Sequence, residues 1–158
     1  MNNEDSIKEG FENRFDFLKS AVKIVRPRRL SIEVPYNKFD EVFRFAVIDQ
    51  AFVMLCTITG LDEGERLGFI YHLSQEAGIV MNLKTSVSKI DPVIKTVTDI
   101  FSVAEIYERE MADLLGVRVD GLLPGNRYPL TDDWPLDEHP LRKDWKPKDV
   151  AEDRGEAR

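Results

Sequence analysis

The sequence has little of what builds disulfides, metal centres or membrane spans. Its 158 residues include one cysteine, which excludes an internal disulfide and a cysteine-based iron–sulfur or zinc site. That residue, Cys56, lies in an apolar run, so we expect its thiol to be buried in a strand. The longest run without a charged residue, 50–61, has only 12 residues. We therefore expect no direct membrane span, because crossing a bilayer takes about 20 apolar residues.

The charge pattern argues against a nucleic acid as partner. The formal net charge is −7 at pH 7, and the longest basic cluster is Arg26-Pro27-Arg28-Arg29. Nucleic-acid-binding domains normally carry an extended basic face. We expect this short cluster to flank a sheet edge or to meet an acidic patch on a partner.

The spacing of apolar residues predicts an α+β fold, with one mainly antiparallel sheet and helices on one face. Helices are predicted over 5–22, around 39–46, at 91–92 and over 102–115. Strands are predicted over 30–34, 51–59, 67–73 and 79–87, with a turn at 60–66. These elements form a predicted core domain, 1–118, and the remaining residues, 119–158, form a predicted proline-rich extended arm.

The helix over 102–115 is the best-marked element. We expect Ser102 to cap its start together with Glu105, and Gly116 to end it in the left-handed conformation. Its predicted apolar stripe consists of Val103, Ile106, Tyr107, Met111 and Leu114. Glu110 falls within this stripe, and Asp113 lies at its edge.

A carboxylate within an apolar stripe is unfavourable unless it is paired or protonated. Three interpretations arise for Glu110 and Asp113: a wet position at the stripe's edge, pairing with Arg127 or Arg142, or a metal site completed by His139. We favour arginine pairing, because the arm offers one histidine and no other imidazole ligand.

The arm combines many prolines with many large apolar residues. From Val119 onward it holds five of the eight prolines, which remove backbone donors and disfavour regular structure. Yet its aromatic and aliphatic content is too high to remain in water. We predict that the arm lies along another protein with Trp134 and Trp145 as anchors, and folding back over its own sheet is the alternative.

Two motifs in the second half carry a family resemblance. Glu108-Arg109-Glu110 is followed by Asp113-Leu114-Leu115-Gly116-Val117, and the arm contains His139-Pro140-Leu141-Arg142-Lys143-Asp144. They resemble the signature of the C-subunit family, the small peripheral-arm subunits of respiratory complex I (NADH:quinone oxidoreductase) and of energy-converting membrane-bound nickel–iron hydrogenases. The resemblance extends upstream through Tyr71-His72-Leu73 and so covers nearly the whole chain.

One segment departs from the complex I pattern. Complex I members usually carry Gly-His-Pro-Asp-Leu-Arg-Arg after this helix, where residues 121–127 here read GLLPGNR. The histidine is absent, and Asn126 replaces one arginine. We therefore favour the hydrogenase-type branch over a quinone-reducing one.

The resemblance implies a non-catalytic subunit that binds no cofactor of its own. Nickel–iron, iron–sulfur or quinone sites are then expected in its partners, the large hydrogenase-like subunit and the neighbouring iron–sulfur subunits, on the cytoplasmic side of the cell membrane. The residues it assigns to partner contacts are Glu108, Arg109, Glu110, Asp113, Arg127, Trp134, His139, Pro140, Arg142, Lys143, Asp144 and Trp145. Two other functions stay open: a metal-dependent enzyme using Glu110, Asp113 and His139, and an adaptor unrelated to redox complexes.

Overall fold

A computed structural model describes residues 3–147 of the chain. The elements follow in the order α1 (Asn3–Arg14), a short 3-10 helix (Asp16–Leu18), β1 (Val22–Arg26), β2 (Arg29–Glu33), α2 (Tyr36–Ile48), β3 (Met54–Asp62), β4 (Arg66–Ser74), β5 (Val80–Ser88), β6 (Val93–Lys95), α3 (Ala104–Leu115) and β7 (Arg118–Asp120). The predicted α+β class is confirmed.

The main sheet has five strands in the order β1-β2-β5-β4-β3. Only β2 and β5 pair in parallel, and the other three neighbours are antiparallel. The helices pack on the face that carries Tyr71, whose ring centre lies 4.6 Å from that of Phe39 and 5.5 Å from that of Phe43, both on α2. These rings belong to a continuous buried core, which is the main source of stability in a domain of this size.

Helix α3 lies over β3 at the edge of the sheet. Gly60 on β3 has no side chain, and a β-carbon there would lie 2.3 Å from Sδ of Met111 and 2.4 Å from Cδ1 of Leu115. The helix therefore approaches the strand more closely than any other residue at position 60 would allow. The same helix connects β6 to β7, which pair in parallel as a small second sheet.

The opposite face of the main sheet carries polar side chains. His72 lies between Asn82, 2.9 Å from its Nδ1, and Thr59, 3.0 Å from its Nε2. Because Asn82 and Thr59 bond both ring nitrogens, His72 is a satisfied sheet residue.

The predicted helix over 5–22 is wrong beyond Arg14. The apolar residues whose spacing predicted this helix are all buried, namely Ile7, Phe11, Phe15, Leu18 and Val22. Helix α1 contributes only the first two of them to the core. Phe15 adopts an extended conformation with φ −132°, which ends the helix, and Val22 already belongs to β1. Helical spacing identified residues that share a core, although three successive elements supply them.

Three smaller predictions also fail. Residues 91–92 precede a strand, β6, rather than forming a helix, and Gly60 lies within β3 rather than in a turn. Cys56 is exposed, because β3 is an edge strand whose register shifts between Leu55 and Thr57, which interrupts the alternation of inward and outward residues.

In the part of the chain that the structure describes, no helix has the length and apolar character needed to cross a bilayer.

Candidate functional site

The buried face of α3 differs from the predicted apolar stripe. Its fully enclosed side chains are Ala104, Glu108, Met111 and Leu115. Val103 and Ile106, which were predicted to be buried, are 48% and 44% exposed. Glu110 is half-buried and forms no ion pair with any residue between 3 and 147. The placement of Glu110 in the buried stripe is therefore wrong, and the buried carboxylates are Glu108 and Asp113.

The start of α3 also differs from the prediction. The residue preceding the helix is Val103, and no side chain caps it. Backbone turns take that place, since the Ala104 amide donates to the Phe101 carbonyl and the Glu105 amide to the Ser102 carbonyl. The Glu105 carboxylate accepts from Arg109 one turn on, at 2.8 Å, instead of completing a capping box.

Glu108 anchors α3 to the segment that follows β6. Its Oε1 accepts from the Val97 amide at 2.7 Å, and its Oε2 accepts from the Thr96 hydroxyl at 2.6 Å. Burial raises the pKa of this carboxyl, and the two hydrogen bonds only partly oppose that effect. Glu108 is 0% exposed, so it acts inside the domain in this structure.

Asp113 holds the arm against α3. One carboxylate oxygen accepts from Nε of Arg127 at 2.6 Å, and the other accepts from the Leu130 amide at 2.8 Å. Arg127 also donates to the Trp134 carbonyl. The predicted arginine pairing is thus found for Asp113, with an arginine of the chain's own arm. The side chain of Asp113 is 8% exposed and that of Arg127 is 14% exposed. Their bond is therefore a charge-assisted hydrogen bond that is largely shielded from solvent.

These bonds also bear on the proposed metal triad. Both carboxylate oxygens of Asp113 are already bonded, and Nδ1 of His139 lies 2.9 Å from the Asp113 carbonyl oxygen. Across residues 3–147, no group of three or more His, Cys, Asp and Glu side chains is arranged to hold a metal ion. The arrangement favours arginine pairing over a metal site.

The motif from His139 to Arg142 closes the C-terminal end of α3. Gly116 ends the helix at φ 67°, as predicted, and the His139 ring lies where a side chain at position 116 would stand, 2.3 Å from a β-carbon built there. The Leu141 amide donates to the Leu114 carbonyl. Arg142 donates to the Leu115 carbonyl at 2.7 Å and to the Gly116 carbonyl at 3.3 Å. A cation at this end also suits the helix dipole.

Arg109 binds the beginning of the arm. Its Nη2 donates to the Leu123 carbonyl at 2.8 Å. Gly125 lies directly beneath the same guanidinium, since a β-carbon there would be 2.3 Å from Nη2. The first loop of the arm is therefore shaped around Arg109.

A second anchor joins the arm to the turn between β3 and β4. Oδ2 of Asp62 accepts from the Lys143 amide at 2.8 Å and from Nζ of Lys89 at 2.7 Å, and its Oδ1 accepts from the Gly64 amide. Lys89 bonds Asp144 as well, at 2.9 Å. Burial alone would raise the pKa of Asp62, but these donors lower it to about 2. Nothing in the sequence signals this contact, because 81 positions separate Asp62 from Lys143.

The two tryptophans pack against each other. Their ring centres lie 5.8 Å apart, and both indole N–H groups donate to Glu138, Trp134 to its carbonyl and Trp145 to its carboxylate. Pro140 is half-buried in the same region. The arm thus contains a small cluster of its own, and residues 148–158, the rest of the predicted arm, lie outside the described residues.

An open apolar groove remains between α3 and the arm. Its volume is about 540 Å³, and its walls include Val103 and Ile106 from the helix and Tyr128 from the arm. Nearby arm residues Leu123 and Leu136 are 76% and 82% exposed. We call this surface, formed by Val103, Ile106, Leu123, Tyr128 and Leu136, the α3–arm face.

Comparison with known proteins identifies the family. The model of the respiratory-chain NADH dehydrogenase 30 kDa subunit family matches residues 32–150. The chain belongs to this family. It is 31% identical over 144 residues to the C subunit of the F(420)H(2) dehydrogenase of Methanosarcina mazei, covering 89% of this chain and 90% of that protein.

Other members differ in length. The C/D subunit of the NADH-quinone oxidoreductase of Phocaeicola vulgatus is 36% identical over 118 residues, which are 72% of this chain but 22% of that protein. The chain thus spans about a fifth of that relative. Among solved structures, it matches a chain of the membrane-bound sulfane sulfur reductase, an archaeal respiratory membrane complex, with a TM-score of 0.85 and 25% identity over 99% of this chain and 93% of that one.

Replacement of Asp113 by alanine should loosen the arm, whereas replacement of Glu110 should not. The first change leaves the Arg127 guanidinium and the Leu130 amide without an acceptor, at a cost of about 2 kcal/mol. Both tryptophans of the chain lie in the arm, so their fluorescence reports its docking. We expect Asp113→Ala to red-shift the emission and to increase quenching by acrylamide. Equal spectra for Asp113→Ala and Glu110→Ala would contradict the assignment.

Acid should weaken the second anchor. The pKa of Asp62 is about 2 in the folded chain, below its ordinary value of 3.8. Its contribution to stability is therefore complete above about pH 4 and is lost as the pH falls from about 4 to 2. The measurement is acrylamide quenching of tryptophan fluorescence as the pH is lowered. The Asp62→Asn variant should be quenched more than wild type already at neutral pH. It should also lack the rise in quenching that wild type shows between about pH 4 and about pH 2. The exposed control Asp132→Asn should keep it; a wild-type transition in Asp62→Asn would disprove the anchor.

Proposed function

We propose that this chain is a non-catalytic subunit in the peripheral part of a complex I-like membrane-bound oxidoreductase, where it packs against the large subunit. The observation that carries the proposal is the near end-to-end match, in sequence and in structure, to subunits of respiratory membrane complexes. The chain's own residues agree with a supporting role, because Asp62, Arg109, Asp113 and Arg127 are engaged in holding the arm.

The α3–arm face is the surface we assign to the large subunit. Val103 directly precedes α3, Ile106 lies in the first turn of the helix, and Tyr128 lines the same groove from the arm. Exposed aliphatic and aromatic groups gathered in one groove are typical of a protein interface. The bonds of Asp113 and Arg109 fix both walls of this groove before a partner binds, which lowers the entropy lost on association.

The branch of the family is also part of the proposal. The 121–127 segment departs from the complex I pattern, and the matched chain of the membrane-bound sulfane sulfur reductase aligns with 99% of this chain. We therefore propose a hydrogenase-type or sulfur-linked complex rather than a quinone-reducing one. Nickel–iron and iron–sulfur sites would then belong to the large subunit and its neighbours, with this chain on the cytoplasmic side of the membrane.

An assembly experiment tests this role. The tagged chain is co-expressed with the large subunit encoded beside it, and the large subunit recovered with the tag is measured. We expect Ile106→Asp to reduce recovery about tenfold or more, since the loss of a central apolar contact commonly costs about 2 kcal/mol. The matched control is Ile48→Asp, at a site 73% exposed on the end of α2. Equal recovery with both variants would refute the assignment of this face.

A further inference from the structure

The basic cluster noted in the sequence forms a hairpin at the edge of the main sheet. Within residues 22–29 the chain carries Lys23, Arg26, Arg28 and Arg29 and no acidic residue. None of these four forms an ion pair with any residue in the described part of the chain. In a chain with net charge −7, four cations without an ion pair within residues 22–29 are a local departure from the acidic overall composition.

The hairpin lies far from the α3–arm face in the sheet order. Strand β1 forms one edge, and β3, against which α3 packs, forms the other. All four β1 residues after Val22 are exposed, including Val25 at 66% and Ile24 at 38%. Across residues 3–147, β1 has a hydrogen-bonded strand on one side only. Helix α1 packs against β1, but the residues from Lys23 to Arg26 remain exposed.

The turn of the hairpin is held in a fixed shape. Arg28 has φ 62°, an uncommon conformation for a residue with a side chain. Its amide donates to Oε1 of Glu4 at 2.7 Å, and this bond lowers the pKa of the Glu4 carboxyl. Glu4 therefore fixes the backbone of the turn. It also attracts the Arg28 guanidinium electrostatically, although it forms no ion pair with any of the four basic side chains.

Charges on an edge strand often serve only to prevent aggregation. That purpose is poorly met here, because two exposed aliphatic residues, Ile24 and Val25, lie between the charges. Strand β1 reads Lys23, Ile24, Val25, Arg26, so two cations flank a pair of aliphatic residues. This order is instead complementary to a chain segment in which carboxylates flank a pair of aliphatic side chains.

We propose that this basic hairpin, residues 22–29, is a second docking surface, which binds an acidic extended segment of a partner protein along β1. Carboxylates of that segment pair with Lys23, Arg26 and the two arginines of the turn, while its aliphatic side chains contact Ile24 and Val25. The site is separate from the α3–arm face, and it does not depend on which large subunit occupies that face.

A labelled peptide built from the repeat Glu-Val-Val-Glu, which matches the order of cations and aliphatic residues in β1, tests this surface by fluorescence anisotropy with the full chain. The expected result is saturable binding that weakens between about 50 mM and about 300 mM salt, since exposed ion pairs are screened. The double variant Lys23→Glu/Arg26→Glu should lower the affinity at least tenfold. Its control, Lys8→Glu/Lys38→Glu, changes the net charge equally at two sites on α1 and α2 and should bind as wild type.

Several results would overturn the proposal. These are the absence of peptide binding, equal loss in both double variants, or equal binding of a lysine–valine peptide. Stronger binding to phosphatidylserine vesicles than to the peptide would assign the hairpin to a lipid surface instead. Circular dichroism of each variant confirms that the fold is intact. Recovery of the large subunit through the α3–arm face is measured separately, so failure here does not count against the proposed function.

Discussion

The bonds of the Asp113 carboxylate are the interaction on which the candidate interface depends. The arm from Gly121 to Pro147 has no helix or strand of its own, so its backbone and side chains need partners elsewhere. Asp113 provides two, for Arg127 and for the Leu130 amide, and the last carbonyls of α3 provide more for Leu141 and Arg142. These bonds give the proline-rich arm a defined surface, although its prolines prevent regular secondary structure.

Two buried carboxylates on one helix have different roles because their donors differ. Glu108 receives neutral donors, an amide and a hydroxyl, and ties α3 to the strand before it. Asp113 receives a guanidinium and ties α3 to the arm after it. Helix α3 therefore connects the core to both segments that flank it. A buried carboxylate is tolerated at each position because both of its oxygens accept hydrogen bonds, and these bonds fix the helix relative to residues 96–97 and to the arm.

Much of this structure could be predicted from the sequence, and the failures have physical causes. The fold class, the end of α3 at Gly116 and the pairing of Asp113 with an arginine were all predicted. The phase of α3 was not predicted, because its buried face contains Ala104 and Glu108, while Ile106 on the helix and Val103 just before it are exposed. This arrangement reverses the usual hydrophobic signal. Two contacts were not predicted: the close approach of α3 to Gly60 and the hydrogen bond from Lys143 to Asp62. Each joins residues that are far apart in the sequence, so no local sequence pattern indicates it.

The central claim is that the arm is bonded to its own domain before any partner binds. Hydrogen exchange of the Leu130 and Lys143 amides in the isolated chain tests it most directly, because each donates to a carboxylate of the core, Asp113 and Asp62. We predict exchange at least about tenfold slower than the unfolded-chain rate for both amides, since each must first break its bond. Exchange at the unfolded rate in the isolated chain, with protection only in the assembled complex, would contradict this account.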